Sequence, residues 1–225
     1  MHTYSIKSSA NIRKQIGQTL FFISVVLCPI INMLISLLPE SIVSPINDYF
    51  SQWSDLGIGL VIGGITALTL YRLLSWLFDK YLWKLGLVKK YTKMVDFSGK
   101  WEGSLRSSFS PELEMKVVAT IKQTWSEISV HCVFTNLITN ERTTSSSESA
   151  HIVPEYDNMM SLLSFTYRNK SINHKLVVRE HRGTNDLYLS GYDENKKKHM
   201  ELRGDYYNNR GTTPNLGSID LLRKC

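Results

Sequence analysis

A chain of 225 residues, 43% hydrophobic and 20% charged, carries a formal charge of +6 and three cysteines. Cys28 lies in an apolar run, Cys132 in a strand-like pattern and Cys225 at the end, which excludes a disulfide framework and fits a reducing compartment. Much of the positive charge clusters beside apolar segments, so it makes no case for a nucleic acid polymer as partner. Apolar residues crowd the first 80 positions, and the remaining polar stretch is long enough to bury its own core.

Residues 1–18 read as an N-terminal tail. Residues 19–38, TLFFISVVLCPIINMLISLL, carry no charge and have the length a helix needs to cross the hydrocarbon of a bilayer. A signal peptide has a shorter apolar core and a small-x-small cleavage site, whereas Pro39, Glu40 and Ser41 follow here. Pro29 removes one backbone hydrogen bond and predicts a kink. Residues 39–55 form a short loop and residues 56–78 a second span, in which Arg72 snorkels to the headgroups. Trp53, Trp76, Tyr81 and Trp83 fall where an aromatic belt belongs.

Lys7, Arg13 and Lys14 precede the first span, and Lys80, Lys84, Lys89, Lys90 and Lys93 follow the second. The loop between holds only Glu40, Asp48 and Asp55, so the positive-inside rule places both termini in the cytoplasm. Gly59, Gly63 and Ala67 put small residues on one face of span two. That face serves either packing of span one on span two or self-association of several chains.

A basic connector, residues 79–96, leads into a cytoplasmic domain, residues 97–225, where the hydrophobic period changes to two. Met115, Val117, Ala119 and Ile121 alternate with polar residues, as do Ile128, Val130, Cys132 and Phe134. Further strands are predicted over 100–106, 143–153, 162–168, 175–181, 186–192, 198–207 and 216–222, separated by turn-forming residues that include Arg182 to Asn185. About nine short strands indicate an all-β domain, an antiparallel up-and-down β-barrel of about eight strands, since such a barrel closes most simply on an even number.

In a meander, turns alternate between two ends. Counting this way places Arg182-Gly183-Thr184 and Arg210-Gly211-Thr212 at one rim, with Trp125 at the same end. Each Arg-Gly-Thr offers a guanidinium, a free backbone and a hydroxyl, which suits a phosphate; equally, Gly makes the turn and Arg solvates it. Tyr167 and Tyr206 share the parity of Phe165 and Leu202 and point inward, towards a ligand or into the core, whereas Arg203 points out. His131 points out, and His181 stands beside Arg182. Residues 145–147, all serine, read as a solvated strand start. No metal-ligand spacing, nucleophile elbow, phosphate-binding Gly-rich loop or H-E-x-x-H occurs, so the chain reads as a binder and not an enzyme, with no cofactor and no metal.

Two N-terminal transmembrane helices joined to a barrel that begins near Gly99-Lys100-Trp101-Glu102-Gly103 and carries His181-Arg182-Gly183-Thr184 and Gly204-Asp205-Tyr206-Tyr207-Asn208 resemble a bacterial effector family. It is the two-transmembrane, β-strand-rich effector associated with CD-NTases in CBASS anti-phage systems. The resemblance implies a multi-pass protein of the bacterial inner membrane. In that family picture a neighbouring CD-NTase supplies a cyclic dinucleotide, the barrel binds it, the effector forms a homo-oligomer, and its spans disrupt the lipid bilayer in an abortive infection. Such a ligand presents two phosphates and two π-faces, which ask for Arg or Lys and for aromatic stacking. Arg182, Thr184, Arg210, Thr212, Trp125, Tyr167 and Tyr206 are the candidate ligand residues. Rival readings are a membrane-anchored, lipocalin-like carrier of an apolar ligand, and a scaffold that recruits a protein.

Overall fold

The computed structural model describes residues 1–6, 10–39, 41–42, 66–108, 114–156, 160–171, 181–193, 198–209 and 215–224. They fall into two compact units, Asn11–Lys80 and Met1–Ala10 with Tyr81–Cys225.

The first unit is helical. α1 (Ala10–Ser36) contains the apolar run and the internal Pro29. It starts well before the expected residue 19, because a helix need not stop where its apolar stretch does: Arg13 and Lys14 lie in its first turns. Phe22 is 69% exposed, and Val26, Leu34 and Met33 are exposed with it, so no protein core covers these side chains. A segment of α1, Asn11–Ser36, is long and apolar enough to cross a membrane, and it is the one such helix among the described residues. The expected second span is described only towards its end, as α2 (Ala67–Lys80). Ala67 opens this helix, while Gly59 and Gly63 lie outside the described residues. Phe21 of α1 meets Tyr71 of α2 edge to face, with ring centroids 6.0 Å apart, and Gly17 lies close to the Tyr71 hydroxyl.

The second unit is strand-rich. After a 3-10 turn, Leu82–Lys84, and α3 (Gly86–Thr92), eight strands follow: β2 (Gly99–Ser107), β3 (Glu114–Gln123), β4 (Glu127–Asn136), β5 (Arg142–Tyr156), β6 (Met160–Ser171), β7 (His181–Asp193), β8 (Lys198–Asn208) and β9 (Asn215–Arg223). Each pairs antiparallel with the next, and β9 pairs back onto β2 from Trp101↔Arg223 to Ser107↔Gly217, so the sheet closes on itself. The alternation read in the sequence is the reason: one residue in two turns inward, and Val117, Ala119, Ile121, Ile128, Val130, Leu163, Leu187, Leu189, Leu202 and Leu221 fill the interior.

Two features depart from the sequence reading. The strand expected at 175–181 is not separate where it can be seen: His181 is the first residue of β7, and residues 172–180 lie outside the described set. Arg182 to Asn185 are strand, not turn. The tail holds the second departure, a ninth strand, β1 (His2–Ile6). It enters where β4 and β5 part, pairing antiparallel with Ile128 and Glu127 and parallel with Ala150, His151 and Ile152.

One end of the ring is sealed by the connector. Phe97, Trp101 and Trp83 are buried there, and the Arg223 guanidinium lies 4.2 Å above the Trp101 ring. The Phe97 N–H donates to Gln123 Oε1 (2.8 Å), and Gln123 Nε2 donates to the Val95 carbonyl (3.0 Å). Lys84 Nζ lies 3.2 Å from Asp96 Oδ2. Burial alone would raise the Asp96 carboxyl, but the Ser98 hydroxyl, the Lys84 charge and the Ser98 N–H outweigh it and hold its pKa below the ordinary 3.8. A carboxylate depressed on folding adds stability above its unfolded pKa and loses it as pH falls through the folded value. Asp96→Asn is therefore expected to cost stability at pH 7 and to cost less at pH 3. Urea titrations of the full chain at both pH values check this; an equal loss at both would remove the ionic role.

Candidate functional site

The opposite end of the ring has a different lining. Register places Tyr167 of β6 opposite Gly183 of β7, and Gly183 opposite Asn208 of β8. One layer deeper, Phe165 faces Asn185, Asn185 faces Tyr206, and Tyr206 faces Gly217 of β9. Tyr167, Tyr206, Asn185 and Asn208 are all buried, and Ser145 joins them from β5. Below these layers the wall becomes aliphatic, with Leu163, Leu187 and Ile219. The interior is thus a polar mouth over a closed apolar plug.

Glycine shapes this mouth by close approach. A Cβ on Gly183 would lie 2.5 Å from the Tyr167 hydroxyl oxygen, and one on Gly217 would lie 2.3 Å from Tyr206 Cε1. Each tyrosine ring therefore lies across the bare backbone of the neighbouring strand, a space that any larger residue would fill. The Arg182-Gly183-Thr184 segment looks like a turn in sequence for this reason. Its glycine lies inside a strand, where a Cβ would meet both the Tyr207 carbonyl oxygen and the Tyr167 ring.

Hydrogen bonding in the wall is incomplete. Tyr167 bonds Asn208, and burial pushes its phenol up to about 12. Its ring meets His181 edge to face at 6.5 Å. Oδ1 of Asn185 and Oδ1 of Asn169 are buried and find no hydrogen-bond partner among the described residues. An uncompensated buried amide oxygen is costly, on the order of 1–3 kcal/mol, and marks a place where a ligand's donor would be matched.

Arg182 and Thr184 stand on the other face. Inward residues of β7 are Gly183, Asn185 and Leu187, so Arg182 and Thr184 are exposed on the outside, apart from the tyrosines. Glu148, at the β5 bulge between Ser147 and Ser149, binds Arg168 Nε at 2.8 Å and Arg182 Nε at 3.2 Å. An outer cleft of about 300 Å³ adjoins this cluster, lined by Thr144, Ser146, Ser147, Glu148 and Arg168.

Arg182 does share its rim with the turn after β8, since its carbonyl accepts the Asn209 N–H at 3.3 Å. Arg210 and Thr212 lie outside the described residues. Trp125 is at the opposite end, between Gln123 and Glu127, where β1 and the connector sit. Treating Arg182 to Asn185 as a turn adds one strand to the count, and one extra strand exchanges the ends. Arg203 faces outward, as its parity requires, between Glu201 and Asp220. His131 is likewise outward and meets the Ser146 hydroxyl.

The sequence reading missed Asn185, Asn208 and Ser145. All three have inward parity, which was the available signal; asparagine and serine read as turn or solvent residues and hid it. Ser145 is not solvated but buried, bonded to the Cys132 thiol.

The model of the family described as Cap15, cyclic dinucleotide receptor domain, matches residues 92–223 of this chain. CD-NTase-associated protein 15 of Staphylococcus schleiferi is 28% identical over 140 residues, which cover 62% of this chain and 68% of that protein. No solved structure matches the chain.

Burial raises the Cys132 thiol from 9.0 to about 12, the Ser145 hydrogen bond opposing this only in part. The nucleophilic thiolate is then absent at ordinary pH. Alkylation of the full chain with iodoacetamide at pH 8.5, followed by peptide mapping, is expected to spare Cys132 in the folded protein and modify it in denaturant. Equal modification in both would mean that this wall opens freely to solvent.

Proposed function

Because this chain belongs to the Cap15 family of cyclic dinucleotide receptors, effectors of CBASS anti-phage defence, we propose that its closed sheet binds a cyclic dinucleotide at the polar mouth. Binding then drives the apolar helices to assemble and breach the bacterial inner membrane, ending the infection with the cell. In this reading both termini are cytoplasmic, residues 56–78 form a second span beside α1, and the chain acts by binding and not by turnover.

The observation that carries the reading is the wall formed by Tyr167, Asn185, Tyr206 and Asn208 above the apolar layers. An eight-stranded ring has an interior that side chains nearly fill, so the ligand sits at the mouth rather than deep inside. Tyrosine rings supply stacking surface for bases. The free carbonyl oxygen of Asn185 accepts from an exocyclic amine or ring N–H. Arg210 and Thr212, outside the described residues, keep the phosphate role suggested by their sequence. An apolar ligand would leave the amide groups of this wall unmatched, which argues against the lipid carrier.

Titrating the full chain in detergent with a panel of cyclic dinucleotides tests the reading, since a ligand bound only by the folded state raises thermal stability. A selective shift with one member is expected. No shift with any member, for a folded protein, would return the choice to the protein scaffold. Asn185→Leu is expected to leave the empty protein as stable or more so, because an unpaired buried oxygen is removed, while weakening ligand binding at least about tenfold. Unchanged affinity would take Asn185 out of the site.

Gly59→Leu with Gly63→Leu is expected to leave ligand binding intact and to suppress membrane disruption, by crowding the small-residue face of span two. Dye release from reconstituted vesicles reads this, and full release by the double variant would exclude close packing there.

A further inference from the structure

The matched family segment starts at residue 92 and so does not include β1. Yet β1 completes the sheet. β4 and β5 pair directly only from His131↔Ser146 to Thr135↔Arg142. Beyond that they diverge, and β1 bridges them with two register pairs on one side and three on the other. Its absence would leave two facing rows of unpaired N–H and C=O groups in the middle of the sheet.

Side chains fix this strand in place. Tyr4 is 3% exposed, and its hydroxyl donates towards the carbonyls of Thr124 (3.1 Å) and Trp125 (2.9 Å). Ser5 Oγ lies 2.6 Å from His151 Nδ1. His2 Nε2 lies 2.7 Å from Ser147 Oγ, and that same hydroxyl accepts the Val130 N–H at 2.9 Å.

Ser147 is the junction. It stands opposite Tyr167 in the β5–β6 register, immediately before the bulge that carries Glu148. One hydroxyl therefore touches β1 while its own residue backs the tyrosine of the mouth. At the other end of β1, only Lys7, Ser8 and Ser9 separate Ile6 from Ala10, the first residue of α1. In sequence, three residues therefore connect a strand of the receptor wall to the membrane-type helix.

We propose that β1 is the coupling strand of this protein, seated in the β4–β5 seam when the mouth is empty and released when it is occupied. The inference rests on reading the Tyr167 wall as the ligand site. A ligand that draws on Tyr167 and the adjoining bulge pulls Ser147 away from His2. With two register pairs to β4 and three to β5, β1 is held less firmly than β2 is on β3, where one partner alone supplies eight pairs. Weakly held segments are the ones that open first. Release of β1 frees the start of α1 to take part in assembly, so the signal passes through an element with two discrete arrangements.

A reversible lock tests this. Ser5→Cys with His151→Cys joins residues that face each other across β1 and β5 on the outer side, away from the mouth. It is built in the full chain with Cys28→Ser and Cys225→Ser, reconstituted in vesicles loaded with dye. A ligand that releases β1 prefers the released state, so the oxidised protein is expected to bind its cyclic dinucleotide at least about tenfold more weakly than the reduced protein and, even at saturating ligand, to release dye at least about tenfold more slowly. Reduction should restore release. Equal release by oxidised and reduced protein would overturn the coupling role, whereas failure of the reduced, unlocked protein to bind any member of the panel would overturn the ligand reading instead. His2→Ala gives the opposite perturbation without a disulfide: dye release without ligand is expected to rise several-fold. Release that stays at the background level in that variant would argue against a seated and a released state.

Discussion

Every strand at the rim of an open sheet exposes a row of backbone donors and acceptors that must find partners or face water. Here that demand is met twice. The pairing of β2 with β9 joins the two ends of the meander, and β1 fills the seam where β4 and β5 part. Closure in turn forces every second side chain into a shared interior, and that forced convergence brings residues as distant as Ser145, Tyr167, Asn185 and Tyr206 to one wall.

The interior is divided by height. Near the connector, aliphatic and aromatic side chains pack to full burial, with Trp101 clasped by Arg223 and Phe97 held through Gln123. At the far end, amides, hydroxyls and tyrosines replace them, and two amide oxygens stay unmatched. A protein optimised for stability alone would not keep such atoms. In the proposed reading a ligand matches them, and the family to which the chain belongs is one of cyclic dinucleotide receptors.

Most of the sheet was legible because a buried strand writes itself as alternation: residues 115–121 and 128–134 fall within β3 and β4. The inward placement of Tyr167 and Tyr206 followed from the same parity. What parity cannot reveal is why a glycine is present. Gly183 in Arg182-Gly183-Thr184 carries the mark of a turn, whereas its task is to make room for Tyr167, and that task depends on a strand next to it in space. The error moved Trp125 to the wrong end and Arg182 and Thr184 to the wrong face. β1 was hidden for another reason. Its five residues, HTYSI, are too few to show a period, and both its partners lie more than a hundred positions away. The apolar run of α1 was plain in composition, but its first turns are polar and charged, so the helix extends beyond the span that hydropathy marks.

The separation between plug and mouth also bears on how this receptor can evolve. In the proposed reading, residues that hold the ring closed are not those that discriminate between ligands, so a mutation at Asn185, whose Oδ1 is unmatched, alters preference without drawing heavily on the fold's reserve of stability. In that reading, ligand preference can therefore drift by small steps at a few inward positions. The constraint on that drift comes from Gly183 and Gly217: while tyrosines cross them, any Cβ at either position displaces a ring, so the aromatic floor of the site should change last.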